Sequence, residues 1–122
     1  MSAAGLWSTP QDLAKFLIEL QLALLNQSNR VLTGNTVEEM IAPFGDLTST
    51  TSEPFYGLGF MLSKIGDEVI FGHAGNQTGF HSQMQATKSG AGYVVMTNGD
   101  YGPEVIAEIA SLIKRDFLQG SF

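Results

Sequence analysis

The stretch "FGHAGNQTGFHSQMQATKSGAGYVVMTNGD", residues 71–100, indicates the fold class. It does so through the alternation of apolar or small side chains with polar ones and through the positions of its glycines. Apolar or small side chains at every second position of 80–86 predict a strand with two different faces. The apolar run at 93–98 predicts another strand, and "SGAG" between them predicts a turn. Upstream, "IGDE" at 65–68 separates two more apolar runs. Because such short links cannot join parallel strands, we predict three or four antiparallel strands.

The strongest helix signal is "STPQDLAKFLIELQLALLNQ", residues 8–27. Thr9 fits the N-cap and Pro10 the first helical position, and apolar residues at helical spacing run to an end near Asn26. Three further apolar residues widen this face and predict burial on more than one side: Ile18, Leu22 and Leu25. Trp7, just upstream, is also expected in the core.

Two more helices and a first strand complete the pattern. "TVEEMIAP" at 36–43 predicts a short helix stopped by proline, and "PEVIAEIASLIKRDFL" at 103–118 predicts a C-terminal helix. "FYGLGFMLSKI" at 55–65 predicts one strand. The class is α+β: an antiparallel sheet with the C-terminal helix on one face and the N-terminal helices on the other side or end.

The chain divides into a helical part, residues 1–45, and a sheet with a C-terminal helix, residues 55–122. Its 122 residues suit one domain. A net charge of −6 argues against a nucleic-acid partner. The absence of cysteine excludes disulfides, thiolate catalysis and cysteine zinc sites. No apolar run is long enough to predict a membrane-spanning segment.

Four segments resemble, in order and spacing, the serine β-lactamase-like superfamily: "AAGLWSTPQDLAKFL", "YGLGF", "GHAGNQTGF" and "GYVVMTNGDYGPEVIAEI". That superfamily includes class C β-lactamases, DD-carboxypeptidases of the penicillin-binding type and related esterases and peptidases. The resemblance covers residues 3–118. It implies a parent protein that forms an acyl-enzyme on an amide or ester, in which upstream strands and a helix complete the sheet.

The resemblance assigns one wall of the active site to His73-Ala74-Gly75, the histidine form of the family's Lys/His-x-Gly motif. It implies that His73 donates a hydrogen bond or carries charge toward a substrate carboxylate or the serine. Gly75 would let substrate approach the backbone, and the N–H of Asn76 would point into an oxyanion hole. Because Ala74 replaces a hydroxyl residue that many members use to bind the substrate carboxylate, a β-lactam, a D-Ala-D-Ala peptide and an ester all stay open as substrates.

Two other family motifs are missing from this chain. Tyr-x-Asn does not occur, and Ser-x-x-Lys occurs once, from Ser111 to Lys114, in the C-terminal helix where the family has no catalytic serine. We therefore interpret the chain as a C-terminal fragment, inactive alone, of a parent that takes a small-molecule or peptide substrate. The alternative is a non-enzymatic binding or assembly module that reuses the fold, with the Ser/Thr loop at 48–52 as a candidate contact.

Two other arrangements of the site can be drawn from the sequence. His73 and His81 could share a metal ion, but no cluster of ligands at metal spacing accompanies them. Ser82, His73 and Asp100 could form a triad, but no Gly-x-Ser-x-Gly elbow is present. We expect neither arrangement, and no cofactor.

A sheet without its upstream partners should expose an unpaired edge, and its helices should expose apolar faces. We therefore expect self-association through this uncovered surface, as a homodimer. Because many members of the superfamily are exported, the resemblance implies a periplasmic or extracellular parent, although nothing in the chain itself indicates a compartment.

Overall fold

The computed structural model describes residues 4–44 and 55–118. The candidate contact at 48–52 lies outside these described residues. The helices are α1 (Pro10–Leu24), α2 (Gly34–Met40) and α3 (Gly102–Ile113), which continues as a π-helical turn (Lys114–Leu118). The strands are β1 (Phe55–Tyr56), β2 (Met61–Ile65), β3 (Glu68–Gln77), β4 (Phe80–Thr87) and β5 (Gly92–Thr97). Within the described ranges, no helix has both the length and the apolar character to cross a bilayer.

Helix α1 begins as the sequence predicts. The Thr9 hydroxyl accepts a hydrogen bond from the backbone N–H of Asp12 at 3.2 Å, and Pro10 opens the first turn. The helix ends two residues before Asn26, whose φ of 55° turns the chain away.

The prediction that α1 is buried on more than one side is wrong for residues at the margin of its apolar face. Leu17 and Leu20 are buried, whereas Ile18 is 52 % exposed and Leu25 is 57 % exposed. The predicted core position of Trp7 is also wrong, because this side chain is 88 % exposed and its ring meets the exposed Phe80 edge-on. No described element covers these flanks.

Helix α2 begins two residues before the predicted start. Thr33 caps it by accepting from the N–H of Thr36 at 3.3 Å. Gly34 allows α2 to approach α1, because a Cβ there would lie 2.4 Å from the carbonyl oxygen of Ala23.

The sheet has five strands in the order β1-β2-β3-β4-β5, and each strand pairs antiparallel with its neighbour in the chain. The prediction of a single strand over 55–65 is wrong. These residues form a tight hairpin in which Phe55 opposes Leu62. The chain reverses at Gly57–Gly59, where Gly59 has a φ of +79°. A positive φ favours glycine and ends an extended run.

The two faces of the sheet are covered by different helices, as predicted. Helices α1 and α2 cover one face, here called the α1 face, and α3 covers the opposite α3 face. The core on the α1 face joins buried residues of both helices to the sheet: Leu17, Leu20, Ala23, Val37, Ile41, Phe60, Leu62, Phe71 and Ala86. Burial of these side chains accounts for most of the attraction between the layers.

Candidate functional site

Strand β3 carries the candidate site residues, and it is buried at one end and exposed at the other. Ile70, Phe71 and Gly72 are buried, whereas all residues from His73 to Gln77 are exposed. The buried half anchors the strand in the core. The exposed half therefore holds His73, Ala74, Gly75 and Asn76 in extended conformation on a fixed support.

The His73 side chain lies on the α1 face. Residues directly opposite each other in an antiparallel pair share a face, and His73 opposes Met84, which packs against the α1-face core. Ala74 and Asn76 alternate to the α3 face.

The direction of the backbone groups in β3 follows from the β4–β5 hairpin. The N–H of Thr87 donates to the carbonyl of Ala91 at 2.8 Å, so the odd-numbered residues of β4 direct their backbone groups toward β5. The even-numbered residues of β4 then bond to β3, where they oppose odd-numbered residues such as Gly75. Ala74 and Asn76 consequently direct their N–H and C=O groups away from β4.

No described strand pairs with that side of Ala74 and Asn76. The β2–β3 ladder ends where Met61 opposes Gly72. Beyond this point β3 presents an open edge, at which the N–H of Asn76 has no partner within the described sheet. This outward N–H is available to donate a hydrogen bond to a group that lies beside β3.

The imidazole of His73 has a defined tautomer. Its Nδ1 lies 2.7 Å from the carbonyl oxygen of Ala74. A carbonyl oxygen can only accept, so Nδ1 carries the proton and donates it. The lone pair of the neutral ring is then on Nε2, which can accept a proton from a hydroxyl group or, once protonated, donate to an anion.

Gly75 sits directly over the Ser82 side chain of the neighbouring strand. A Cβ on Gly75 would lie 2.5 Å from Ser82 Oγ. The missing side chain therefore leaves room for this hydroxyl on the α1 face, a contact that the sequence analysis did not single out. The contact follows from the strand register, in which Gly75 opposes Ser82.

The two histidines are not brought together. His81 opposes Asn76 and Thr97, so its ring lies on the α3 face, opposite to that of His73. There it packs against the first residue of α3, because a Cβ on Gly102 would lie 2.7 Å from His81 Cδ2. The described residues include no group of three or more His, Asp or Glu side chains placed to hold a metal ion.

Ser111 and Lys114 lie at the end of α3, on the opposite side of the sheet from His73. This placement separates them from the His73 side chain, although Ala74, Gly75 and Asn76 line the same groove on the α3 face.

A groove of about 790 Å³ lies on the α3 face beside the exposed half of β3. Ala74, Asn76 and His81 contribute to it from the sheet, and α3 contributes Ile106 and Ala110. His73 does not line this groove, because its ring lies on the other face. The groove and the His73 surface are separate.

A family model described as Beta-lactamase matches residues 1–115 of the chain. No curated protein matches it in sequence.

Two solved structures of the D-amino acid amidase from Ochrobactrum anthropi SV3 resemble the chain. The complex with D-phenylalanine has a TM-score of 0.60 and 24 % identity, over 88 % of this chain and 36 % of the amidase chain. The complex with L-phenylalanine amide has a TM-score of 0.52 and 24 % identity, over 78 % of this chain and 26 % of the amidase chain. The chain thus shares the fold and spans about a third of the amidase length.

Proposed function

The chain belongs to the beta-lactamase family, and from this premise we propose that the exposed half of β3 is one wall of a serine-hydrolase acylation site. The observation that carries the proposal is the open edge of β3, where the N–H of Asn76 is directed away from β4 and unpaired among the described strands. In such a site a serine Oγ attacks an amide or ester carbonyl. The carbonyl oxygen becomes an oxyanion, and the amine or alcohol then leaves with a proton.

The residues of the wall take separate roles in this proposal. The N–H of Asn76 stabilises the oxyanion. Gly75 lets the substrate lie close to the backbone, and Ala74 offers its carbonyl to a substrate N–H at the same edge. His73, whose Nδ1 is held by the Ala74 carbonyl at 2.7 Å, presents Nε2 to the serine or to a substrate carboxylate.

We propose that the chain is a C-terminal segment of such a hydrolase and is inactive alone, because the family's acylating Ser-x-x-Lys and its Tyr-x-Asn are missing from their family positions. Residues 1–45 would supply its helical part and residues 55–122 its sheet and C-terminal helix. A β-lactam, a peptide or an ester then binds in the parent protein. The amidase fold match favours an amide among these substrates.

The test of inactivity is incubation of the chain with a chromogenic β-lactam, a p-nitrophenyl ester and a covalent serine probe. We expect no burst, no turnover and no labelled serine by intact mass. Stoichiometric labelling of one serine would overturn the proposal, and the Ser111→Ala and Ser82→Ala variants would show which of the two reacts.

The test of the wall uses a polypeptide that joins this segment in frame to an upstream Ser-x-x-Lys and Tyr-x-Asn. We expect His73→Ala to lower the acylation rate at least tenfold, while the matched His81→Ala on the other face leaves the rate per folded molecule unchanged. Equal rates for wild type and His73→Ala would remove His73 from the site. A folded joined polypeptide without any acylation would favour the non-enzymatic module.

We also propose that the 122-residue chain self-associates, because β5 forms an edge of the described sheet. Unpaired edges of this kind promote association unless they are blocked.

A further inference from the structure

Ser82 occupies the space that a side chain at position 75 would need. Ser82 and Gly75 oppose each other in the β3–β4 ladder, so both lie on the α1 face, as the His73 side chain does. A Cβ on Gly75 would lie 2.5 Å from Ser82 Oγ but 3.8 Å from Ser82 Cβ. The hydroxyl is therefore turned from β4 toward β3 and lies over the backbone of Gly75.

The other neighbours of Ser82 on this face all carry side chains. Met96 opposes it on the side of β5, and Phe80 and Met84 lie two residues away from it along β4. Met84 also packs against the α1-face core. Among these neighbouring positions, Gly75 alone has no side chain, so the hydroxyl has room on the side of β3.

The proposed roles of the open edge place one substrate atom beside Gly75. The N–H of Asn76 takes the carbonyl oxygen of the substrate, and the carbonyl of Ala74 takes a substrate N–H. Gly75 lies between these two residues in β3. The substrate carbon that joins the scissile carbonyl to this N–H group therefore lies beside Gly75.

A side chain on that carbon projects over Gly75 when it is directed to the α1 face. Adjacent strands lie about 5 Å apart, so a methyl group ends short of the space above Gly75. A branched four-carbon side chain reaches across this space and meets Ser82 Oγ. Directed to the α3 face, the same side chain lies away from Ser82.

We propose that Ser82 is a specificity-determining residue of the acylation site. Its hydroxyl fills the space above Gly75 and favours acyl groups with a small substituent on the carbon next to the scissile carbonyl. The inference rests on the proposed function and names the class of acyl group that the wall accepts. It also gives Gly75 a second role, because only a residue without Cβ leaves room for the hydroxyl.

The shared space is tested in the 122-residue chain by urea denaturation of a double-mutant cycle. Gly75→Ala should lower the midpoint, because the new Cβ collides with Ser82 Oγ. In a Ser82→Ala background the same substitution should lower it far less, because the nearest remaining atom is the Cβ of residue 82, at 3.8 Å. Additive effects of the two substitutions would show that Ser82 does not fill this space.

Specificity is tested in the polypeptide that joins this segment to an upstream Ser-x-x-Lys and Tyr-x-Asn. The substrates are the p-nitroanilides of glycine and of both enantiomers of alanine and leucine. Ser82→Ala should raise kcat/KM for leucine relative to alanine by about fivefold or more, for one enantiomer only. The other enantiomer directs its side chain to the α3 face, and its ratio should not change.

The matched control is Ser63→Ala, the same chemical change on the other face. Ser63 opposes Ile70, which alternates with the α1-face residue Phe71, so its side chain lies on the α3 face. All substrate ratios should stay unchanged in this variant. A partial loss of folded protein would lower every rate equally and leave the ratios as they are.

The outcomes separate this inference from the proposed function. Active polypeptides whose leucine-to-alanine ratios are the same with and without the Ser82 hydroxyl would overturn the role of Ser82, while the acylation site stands. A folded polypeptide that is acylated by neither esters nor anilides would overturn both. A ratio that shifts equally for both enantiomers would also count against a contact on one face of β3.

Discussion

At the scale of single residues, Tyr93 shows how burial alters a titratable group on the α3 face. The side chain is 8 % exposed, and its hydroxyl donates to Gln85 Oε1 at 2.8 Å. Burial disfavours the phenolate and raises the pKa of Tyr93 to about 12. The neutral phenol is therefore part of the folded structure.

Tyr93 should make the free energy of unfolding fall at high pH. In the unfolded chain its phenol ionises near pH 10, while in the folded chain it stays protonated until about 12. The contribution is complete below about pH 10 and is lost as the pH rises toward 12, by up to about 2 kcal/mol. Urea denaturation between pH 9 and 12 measures it.

Two variants separate Tyr93 from other groups that titrate in this range. Tyr93→Phe should flatten the fall. The exposed Tyr101→Phe should retain it. Parallel pH curves for the wild type and Tyr93→Phe would show that the phenol of Tyr93 is not responsible.

At the scale of secondary-structure elements, the packing of α3 on the sheet depends on one missing side chain. Gly102 is the first residue of α3 and is buried. A Cβ there would lie 2.0 Å from Thr97 Oγ1 and 2.7 Å from His81 Cδ2. Contacts this short force the Thr97 and His81 side chains, or the helix itself, to shift.

Gly102→Ala should therefore lower the free energy of unfolding by about 2 kcal/mol, within the range for overpacked sites. Chemical denaturation followed by circular dichroism measures this change. Gly99→Ala is the matched control, because a Cβ at Gly99 would meet no atom within 4 Å and little change is expected. An equal loss in both variants would contradict the steric argument.

Features that adjacent residues determine were predicted well. Features that depend on packing partners distant in the sequence were predicted poorly. The Thr9 cap and the Pro10 start require only adjacent residues, and both predictions are confirmed. Burial of Ile18 was predicted from an apolar stripe, yet the side chain is exposed because the described fold supplies nothing to cover it. Composition alone cannot show which part of a wide stripe finds a partner.

For the candidate site, the identities of the residues could be predicted but their geometry could not. The residues His73–Asn76 could be named from the sequence, and their roles remain proposals. Which backbone groups open to the side could not be predicted, because it depends on the alternation fixed by the Thr87–Ala91 bond and on where β2 ends. The face of each histidine likewise depends on register, which a one-residue shift would reverse.

At the scale of the whole molecule, Gln21 joins the N-terminal helical layer to the sheet. Its Nε2 donates to the carbonyl oxygens of Thr87 and Ala91, both at 2.8 Å, and the side chain is 7 % exposed. These bonds fix α1 against the β4–β5 turn. Loss of this side chain would remove both hydrogen bonds between α1 and the turn, while the two carbonyls keep their bonds within the turn.

Gln21→Leu should lower the free energy of unfolding by about 2 kcal/mol, because it removes two hydrogen bonds worth about 1 kcal/mol each. The midpoint of urea denaturation should fall while its slope stays constant. Gln11→Leu, an exposed position on the same helix, should have little effect. A change in slope would instead indicate that α1 separates from the sheet before the rest unfolds.

The strand order has a consequence for how quickly the chain can find this structure. Each strand pairs with the next one in sequence, so the described hairpins at β2–β3, β3–β4 and β4–β5 close loops of only a few residues. Closing short loops costs little chain entropy. The long-range search is therefore left mainly to α1, whose Gln21 must meet the β4–β5 turn at a sequence separation of 70 residues. Such a topology favours rapid formation of the sheet, with docking of α1 as the slower step.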